Sequence, residues 1–265
     1  MGIILPIILI GGGLAAIFYF RPKTQNNVTE MKYMQTKSIS ELENMFSQMD
    51  SNGVGDQYRE FVELKGNVVS DNLVETPFSN RKVAYYESKV AQVAERREEY
   101  TDNNGNRQIR TRKEENEISS DKSSQDIRLT DNSSNNPVIL DINGSGCKLD
   151  IPKTFDRFEP RNNVGNYRFF NSFSMDRYGS ETLGFKMTEE TIDANQHLYV
   201  IGEAYRVGEQ IHIGKPQDKK KPFIVTTKTE EDMINSSTQS ARYLLIGGII
   251  AILAGAIWML SMIGK

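Results

Sequence analysis

The sequence predicts a mainly β protein, a small antiparallel barrel or sandwich with short helices, held between two transmembrane α-helices. Two uncharged apolar segments, residues 2–20 and 243–263, lie near the two ends of the 265-residue chain. Between them, short runs of β-branched and aromatic residues alternate with Gly and Asn turns. That spacing favours antiparallel sheets over βαβ units.

Each apolar segment is long enough to cross a bilayer as a helix. Residues 2–20 rise about 28 Å at 1.5 Å per residue, close to the hydrocarbon thickness, and residues 243–263 reach slightly farther. A cleaved signal peptide is the alternative for the first segment. However, no Lys or Arg precedes its apolar run, and the end at Tyr19-Phe20-Arg21 lacks a small-residue cleavage site. We therefore predict two membrane spans.

Small residues in both segments predict close helix packing. They recur four positions apart, which lets helix backbones approach each other in lipid. The residues are Gly11 and Ala15 in the first segment and Gly247, Ala251 and Gly255 in the second. We expect the spans to pack as a hairpin or to join chains into a homo-oligomer. The alternative is that glycine and alanine are simply common in membrane helices.

A polar connector, residues 21–59, follows the first span. Ser38 and Glu41 have the spacing of a capping box, and apolar side chains recur at helical spacing over residues 42–49. These signals predict a short amphipathic helix near residues 39–50. The Ser-Asn-Gly-Val-Gly run at 51–55 ends it.

Residues 60–234 are predicted to form the β domain. Strand patterns begin at 61–69 and 82–93. The highly charged segment 95–117 contains the turn signal Asp102–Asn106, which predicts an exposed β-ribbon with Glu98 and Glu99 against the basic residues 107–113. A disordered insertion is the alternative.

Two more hairpins and a final strand follow. The first is predicted to join 138–141 with 147–151 around Asn143–Gly146, and the second to join 198–205 with 210–213. Residues 223–227 predict the last strand. A helix start at Thr229 can then continue into the second span.

Composition excludes several classes of function. The net charge is −3 with both signs interspersed, so no nucleic-acid surface is expected. Cys147, His197 and His212 are the complete set of Cys and His residues, too few for a zinc cluster. The two histidines flank one predicted hairpin and can approach each other, yet without a third ligand we predict no metal or cofactor. Cys147 has no neighbouring base and is interpreted as a packing residue.

Three sequence blocks resemble a known family. They are Leu64–Val69 with the following Thr76–Ser79 and Ala84–Tyr86, the segment Val138–Ile151, and Leu198–Ala204. The blocks are similar to the GIDE domain, also called the BAM or "beside a membrane" domain, of mitochondrial and chloroplast outer-membrane ubiquitin ligases and their prokaryotic relatives. Two flanking membrane helices also match that layout.

Two departures from the family pattern bear on function. Val83-Ala84 stands where a cysteine usually precedes the tyrosine pair, and the sequence ends at Lys265 where the eukaryotic ligases continue into a RING. A RING holds two zinc ions through eight Cys and His ligands, whereas this sequence offers three such residues. We therefore expect a RING-less, prokaryotic member that is not an enzyme.

The resemblance and the composition together predict a membrane-anchored binding, scaffolding or signalling protein. Glu203, in the Leu198–Ala204 block, is the candidate residue for binding a ligand or partner, and its alternative role is a carboxylate satisfied at a barrel rim. Two other functions stay open: a ubiquitin-ligase component that obtains a RING in trans, and a hydrolase using Glu203 or His197. No nucleophile–base pair is recognisable for the hydrolase.

Charges beside the spans predict the location of the domain. Arg21, Lys23 and Arg242 lie on its side of the spans, whereas the outer sides offer only the amino terminus and Lys265. The positive-inside rule then places the domain in the cytoplasm, with a bacterial plasma membrane expected. The eukaryotic relatives imply the opposite side. The expected partners are the bilayer and an unidentified protein or small ligand.

Overall fold

A computed structural model describes residues 4–22, 34–54, 57–101, 105–144, 146–162 and 180–263. The chain forms two compact units. One contains Met1–Lys37 with Lys228–Lys265, and the other contains Ser38–Thr227. The apolar helices at the two ends of the chain belong to the first unit, and the strands of the two larger sheets belong to the second. Residues 102–104 of the predicted ribbon turn lie outside the described residues.

The α-helices of the described residues are α1 (Ile4–Ala15), α2 (Ile39–Ser51) and α3 (Glu230–Ile263), and a π-helical turn (Ala16–Phe20) continues α1. The strands are β1 (Glu60–Val69), β2 (Val74–Glu75), β3 (Lys82–Val83), β4 (Tyr85–Thr101), β5 (Arg107–Lys122), β6 (Ile127–Thr130), β7 (Val138–Leu140), β8 (Cys147–Asp150), β9 (Lys153–Pro160), β10 (Ser180–Ile192), β11 (His197–Val207), β12 (Gln210–Gly214) and β13 (Phe223–Thr226).

One helix in the described part of the chain, Glu230–Met262, is long and apolar enough to cross a membrane, and Ile4–Phe20 is a shorter apolar helix. The longer helix starts well before the predicted residue 243 because Thr229 caps it. The Thr229 hydroxyl accepts a hydrogen bond from the Asp232 N–H at 3.1 Å and donates one to the Asp232 carboxylate at 2.7 Å. The predicted helix start at Thr229 that runs on into the apolar segment is confirmed.

Helices α1 and α3 pack closely through glycines. A Cβ on Gly13 would lie 2.6 Å from the carbonyl oxygen of Gly248, and one on Gly255 would lie 2.9 Å from a backbone oxygen of α1. Gly255 was among the residues predicted for packing, whereas Gly11 and Gly247 have open space at the Cβ position. Ala15 is exposed and Ala251 is half-buried. Several overlapping pairs of small residues share the four-residue spacing, so spacing alone does not select the contact face.

Five strands close into a barrel, which confirms the mainly β part of the predicted fold class, although one of its pairings, β7 with β12, is parallel. The order is β1-β6-β7-β12-β11, and β11 returns to pair with β1. Closure is possible because β11 is long: residues 197–204 pair with β1, and residues 203–207 pair with β12. Strands β13 and β8 extend the sheet beyond β11.

Helix α2 packs on the barrel core, and the predicted capping box is confirmed. The Ser38 side chain accepts from the Glu41 N–H, and Glu41 in turn accepts from the Ser38 N–H. Ile39, Leu42 and Phe46 are fully buried in the same apolar cluster as the barrel strands. The helix therefore contributes one face to the barrel core, as its apolar spacing predicted.

Asp131 and Arg206 attach α2 to the barrel. The Asp131 carboxylate accepts a hydrogen bond from the Ile39 N–H at 2.8 Å. Burial acts to raise the pKa of Asp131, but hydrogen bonds from Ser133 and Ile39 outweigh it and lower the pKa. At the other end of α2, Arg206 pairs with Asp50 and its guanidinium lies 5.3 Å from the Phe46 ring centre.

A separate four-stranded antiparallel sheet has the order β5-β4-β10-β9. Strands β4 and β5 form the predicted ribbon, with Thr101 opposite Arg107 and Glu98 opposite Arg110. The structure therefore has the ribbon and not the disordered insertion. Strands β9 and β10 had no counterpart in the sequence-based prediction.

The predicted hairpin between residues 138–141 and 147–151 is wrong. Strand β7 pairs antiparallel with β6 and parallel with β12, while β8 pairs parallel with β13. The two strands that the Asn-Gly-rich segment joins lie at different places in the sheet, and both run antiparallel to β11. A turn signal predicts a change of direction and does not specify which strands pair.

The Thr76–Ser79 block forms a turn that a buried carboxylate holds. Glu189 of β10 is fully buried. It accepts hydrogen bonds from the Phe78 N–H at 2.5 Å, the Ser79 N–H at 3.2 Å and the Ser79 hydroxyl at 2.5 Å. The block therefore has a structural role, because it connects the short β2–β3 hairpin to the second sheet.

Candidate functional site

Five polar side chains meet on the outer face of the barrel. They come from the segment before β1, the end of β7, and strands β11 and β12. We call them the Asp141 cluster: Arg59, Asp141, Glu203, Tyr205 and His212.

Strand alternation explains why these residues share a face. Ala204, Ile211 and Ile213 are buried in the barrel core, so their neighbours Glu203, Tyr205 and His212 point to the opposite face. The β11–β12 register places Tyr205 directly opposite His212. Strand β7 runs parallel to β12 with Leu140 beside Ile213, and the next residue, Asp141, therefore arrives at the same place.

Asp141 connects two side chains of the hairpin. The Tyr205 hydroxyl donates to Asp141 Oδ2, and His212 Nδ1 lies 3.0 Å from Asp141 Oδ1. The Tyr205 and His212 ring centres are 5.7 Å apart. A Cβ on Gly214 would lie 3.1 Å from Asp141 Oδ2 and 3.2 Å from the tyrosine ring. Glycine at 214 therefore lets the carboxylate reach both partners.

A second ion pair borders the same tyrosine. Arg59 Nη1 lies 3.1 Å from Glu203 Oε1, and the guanidinium carbon is 4.6 Å from the Tyr205 ring centre. The other oxygen of Glu203 accepts a hydrogen bond from the Gln217 N–H at 3.2 Å. Glu203 is 11% exposed and Arg59 is 35% exposed. Glu203 therefore holds the arginine and the segment after β12 in place, while the arginine keeps a solvent-facing side.

The environment keeps Tyr205 protonated. Burial, the hydrogen bond to Asp141 and the Asp141 charge raise the pKa of Tyr205 to about 12, although Arg59 opposes the shift. The phenol is consequently a fixed hydrogen-bond donor at neutral pH. The cluster contains two carboxylates, Asp141 and Glu203, and one guanidinium, Arg59, so its formal charge is negative when His212 is neutral.

The side chains of the Asp141 cluster can donate to and accept from a polar group. When His212 Nδ1–H donates to Asp141, Nε2 carries a lone pair and can accept a proton or a hydrogen bond. A hydrolase with a histidine-activated nucleophile would also need a Ser, Thr or Cys within hydrogen-bond reach of that nitrogen. Among the described residues, none makes a hydrogen bond to His212.

The other sequence-predicted site residues lie apart from the cluster. His197 is exposed at the far end of β11, where its Nδ1 lies 3.2 Å from Asn67 Oδ1. His197 lies eight strand residues, or about 26 Å, from Tyr205, and Tyr205 is the cross-strand partner of His212. The prediction that the two histidines approach each other is therefore wrong. No group of three or more metal-ligating side chains occurs in the described ranges.

Cys147 is a packing residue of β8. Its side chain is half-buried against the barrel core. Burial and the nearby Glu87 charge raise the pKa of its thiol to about 12. A thiol that stays protonated at neutral pH is a poor nucleophile.

A polar cleft of about 400 Å³ lies between α2 and the β11–β12 turn. Its lining includes Glu43, Arg206 and Glu209. Arg206 is already committed to Asp50 and to the Phe46 ring. The cleft therefore lies beside the contact that Arg206 makes with α2, and it is a weaker candidate site than the Asp141 cluster.

Comparison with protein families identifies residues 95–260 with the model of the GIDE family, described as E3 ubiquitin ligase. This range is more than half of the chain. The chain belongs to the GIDE family. No curated protein and no solved structure matches it significantly.

The GIDE match contains four members of the Asp141 cluster, namely Asp141, Glu203, Tyr205 and His212. It also extends through the apolar part of α3. Arg59 and the Leu64–Val69 block precede the matched range. The resemblance expected from the sequence is confirmed at the level of the GIDE family.

Proposed function

We propose that this GIDE-family chain is a membrane-anchored, non-enzymatic binding protein that holds a partner protein or small ligand at the Asp141 cluster. One observation carries the proposal: carboxylates orient a histidine and an arginine, and no nucleophile among the described residues bonds to that histidine. Such groups can recognise a polar or charged group of a partner and leave it chemically unchanged.

Photo-crosslinking from the exposed β11–β12 turn tests the binding site. A photoreactive amino acid at Val207, which is 55% exposed, is expected to capture a discrete partner. Asp141→Asn removes the negative charge and leaves one acceptor oxygen for the two side chains that Asp141 orients, Tyr205 and His212. A lost charge-assisted hydrogen bond lowers affinity about tenfold, so crosslinking at limiting concentration falls by a similar factor.

His197→Asn is the matched control, because His197 lies at the other end of the same strand. It is expected to leave crosslinking unchanged. Equal capture by the wild type and by Asp141→Asn would show that the cluster is not the binding site.

The family description supports a second candidate, a ubiquitin-ligase component that obtains its RING from another protein. Eight zinc ligands are needed for a RING, and these 265 residues contain one Cys and two His. Purified protein is expected to hold no stoichiometric zinc and to give no ubiquitin transfer with conjugating enzymes alone. One or two equivalents of zinc by elemental analysis would contradict this expectation. A co-purifying zinc protein would support the second candidate.

We further propose that α1 with its π-turn and α3 both span a bacterial plasma membrane, with the barrel domain in the cytoplasm. Their apolar composition, the glycine contact between them and the flanking Arg21 and Arg242 support this topology. Asn106→Cys in a Cys147→Ser background places a thiol next to the ribbon turn. An impermeant maleimide is expected to label it only after lysis, and labelling of intact cells would place the domain outside.

A further inference from the structure

Strand β5 is an edge strand of the second sheet and has two halves of opposite charge. Within the described ranges it pairs with β4 alone, so half of its backbone N–H and C=O groups face outward. Residues 107–113 are basic and contain no acidic side chain, whereas residues 114–117 contain Glu114, Glu115 and Glu117 and no basic side chain. Nearly all of these residues are exposed.

We propose that β5 pairs antiparallel with β5 of a second copy of this chain, joining two four-stranded sheets across a two-fold axis near Lys113 and Glu114. An antiparallel pair centred there places the basic half of one strand along the acidic half of the other. Two-fold symmetry repeats that match on both sides of the axis. A parallel pair would instead place like charges together, which is destabilising.

Within the chain, Arg110 and Lys113 lie opposite Glu98 and Glu95, whereas Arg112 has no opposite charge across the strand. The β4–β5 register places Arg112 directly opposite Arg96, a like-charged pair. Arg96 itself lies 3.9 Å from Glu98 and 3.9 Å from Glu114. The outer edge is the side on which Arg112 can meet an opposite charge, and Glu114 of the partner subunit supplies it in the proposed pair.

Charged edge strands commonly prevent sheets from joining. Charged side chains on an edge strand prevent such joining whether or not the positive and negative residues are separated along the strand. Separation into one basic block and one acidic block makes the edge complementary to itself in one direction. A β-bulge near Ile118, where the β4–β5 register shifts, ends the regular pairing edge. The regular part of the edge therefore coincides with the two charge blocks.

Charge-swap variants of the full chain in detergent micelles test the proposal. The first is Arg110→Glu/Arg112→Glu/Lys113→Glu, and the second is Glu114→Lys/Glu115→Lys/Glu117→Lys. Light scattering is expected to give a dimer for the wild type and at least about tenfold weaker dimerisation for each variant, because attraction becomes repulsion. An equimolar mixture of the two variants is expected to restore a heterodimer, since residues 110–117 of each strand then carry a single sign of charge.

The control variant is Lys219→Glu/Lys220→Glu, which reverses exposed charges outside the sheet and is expected to leave the dimer intact. A monomeric wild type, a dimer that neither charge-swap variant weakens, or a mixture that stays monomeric would overturn the proposal. The second of these outcomes would instead indicate association through another surface, such as the apolar helices.

Disulfide trapping provides a measurement that does not depend on the triple variants folding. In a Cys147→Ser background, Lys113→Cys or Glu114→Cys is expected to form a crosslinked dimer under mild oxidation. Arg157→Cys on β9, the opposite edge of the same sheet, is the matched control. Equal crosslinking at the two edges would overturn the proposal.

Discussion

Replacing Glu189 with glutamine tests the energetic role of the carboxylate that holds the Thr76–Ser79 turn. Glutamine preserves the size of the side chain but replaces one oxygen by an amide nitrogen that faces hydrogen-bond donors. At least one of the three donors from Phe78 and Ser79 then loses its acceptor inside a buried site. An unsatisfied buried donor costs about 1–3 kcal/mol, and the remaining bonds lose their charge assistance, so the total is about 3 kcal/mol.

The thermal midpoint of the β domain reports this loss. For a domain of about 150–250 residues, 1 kcal/mol shifts Tm by about 2–4 °C. Glu189→Gln is therefore expected to lower the Tm, followed by the β-sheet circular dichroism of the full chain, by about 6–12 °C in the same terms. Glu190→Gln is the control, because adjacent strand residues point to opposite faces. Equal midpoints for the two variants would refute the reasoning.

Three other predictions concern Asp131, Cys147 and Gly13. The pKa of Asp131 is lowered in the folded state, so the ionised carboxylate stabilises the fold above the ordinary carboxyl pKa, and this stabilisation is lost as the pH falls through the folded-state pKa. Asp131→Asn should therefore lower the Tm at neutral pH and give the same Tm as the wild type in strong acid. Cys147, with a pKa of about 12, should resist iodoacetamide at neutral pH until the protein is denatured. Gly13→Leu should lower the thermal stability of the full chain in detergent because its Cβ meets the backbone of α3, whereas Gly11→Leu should not.

Local signals made part of the fold predictable. Helix α2 follows from Ser38, Glu41 and the apolar spacing after them, all within one short segment. The β11–β12 hairpin follows from two strand-like runs around Gly208, whose positive φ of 62° suits a tight turn. In both cases the residues that determine the element are close neighbours in sequence.

Pairings between distant segments were not predictable from the same signals. Strand β7 contacts β12 across more than 70 residues, and this pairing brings Asp141 to Tyr205 and His212. Glu203 was predicted as a site residue from its block, and His212 was noted only as a histidine. Arg59, Asp141 and Tyr205 have no local pattern that distinguishes them from ordinary surface side chains. Their role depends on the barrel register.

Closure of the barrel has a consequence for the time course of folding. Leu64 of β1 pairs with Val200 of β11, more than 130 residues later in the chain. Contacts of such long sequence separation slow folding, because loop-closure entropy is lost before the contacts form. The β4–β5 hairpin, by contrast, contains only local contacts. During synthesis the β4–β5 ribbon can therefore form before β11, the partner of β1, has been made. The barrel can close only after β11 has left the ribosome.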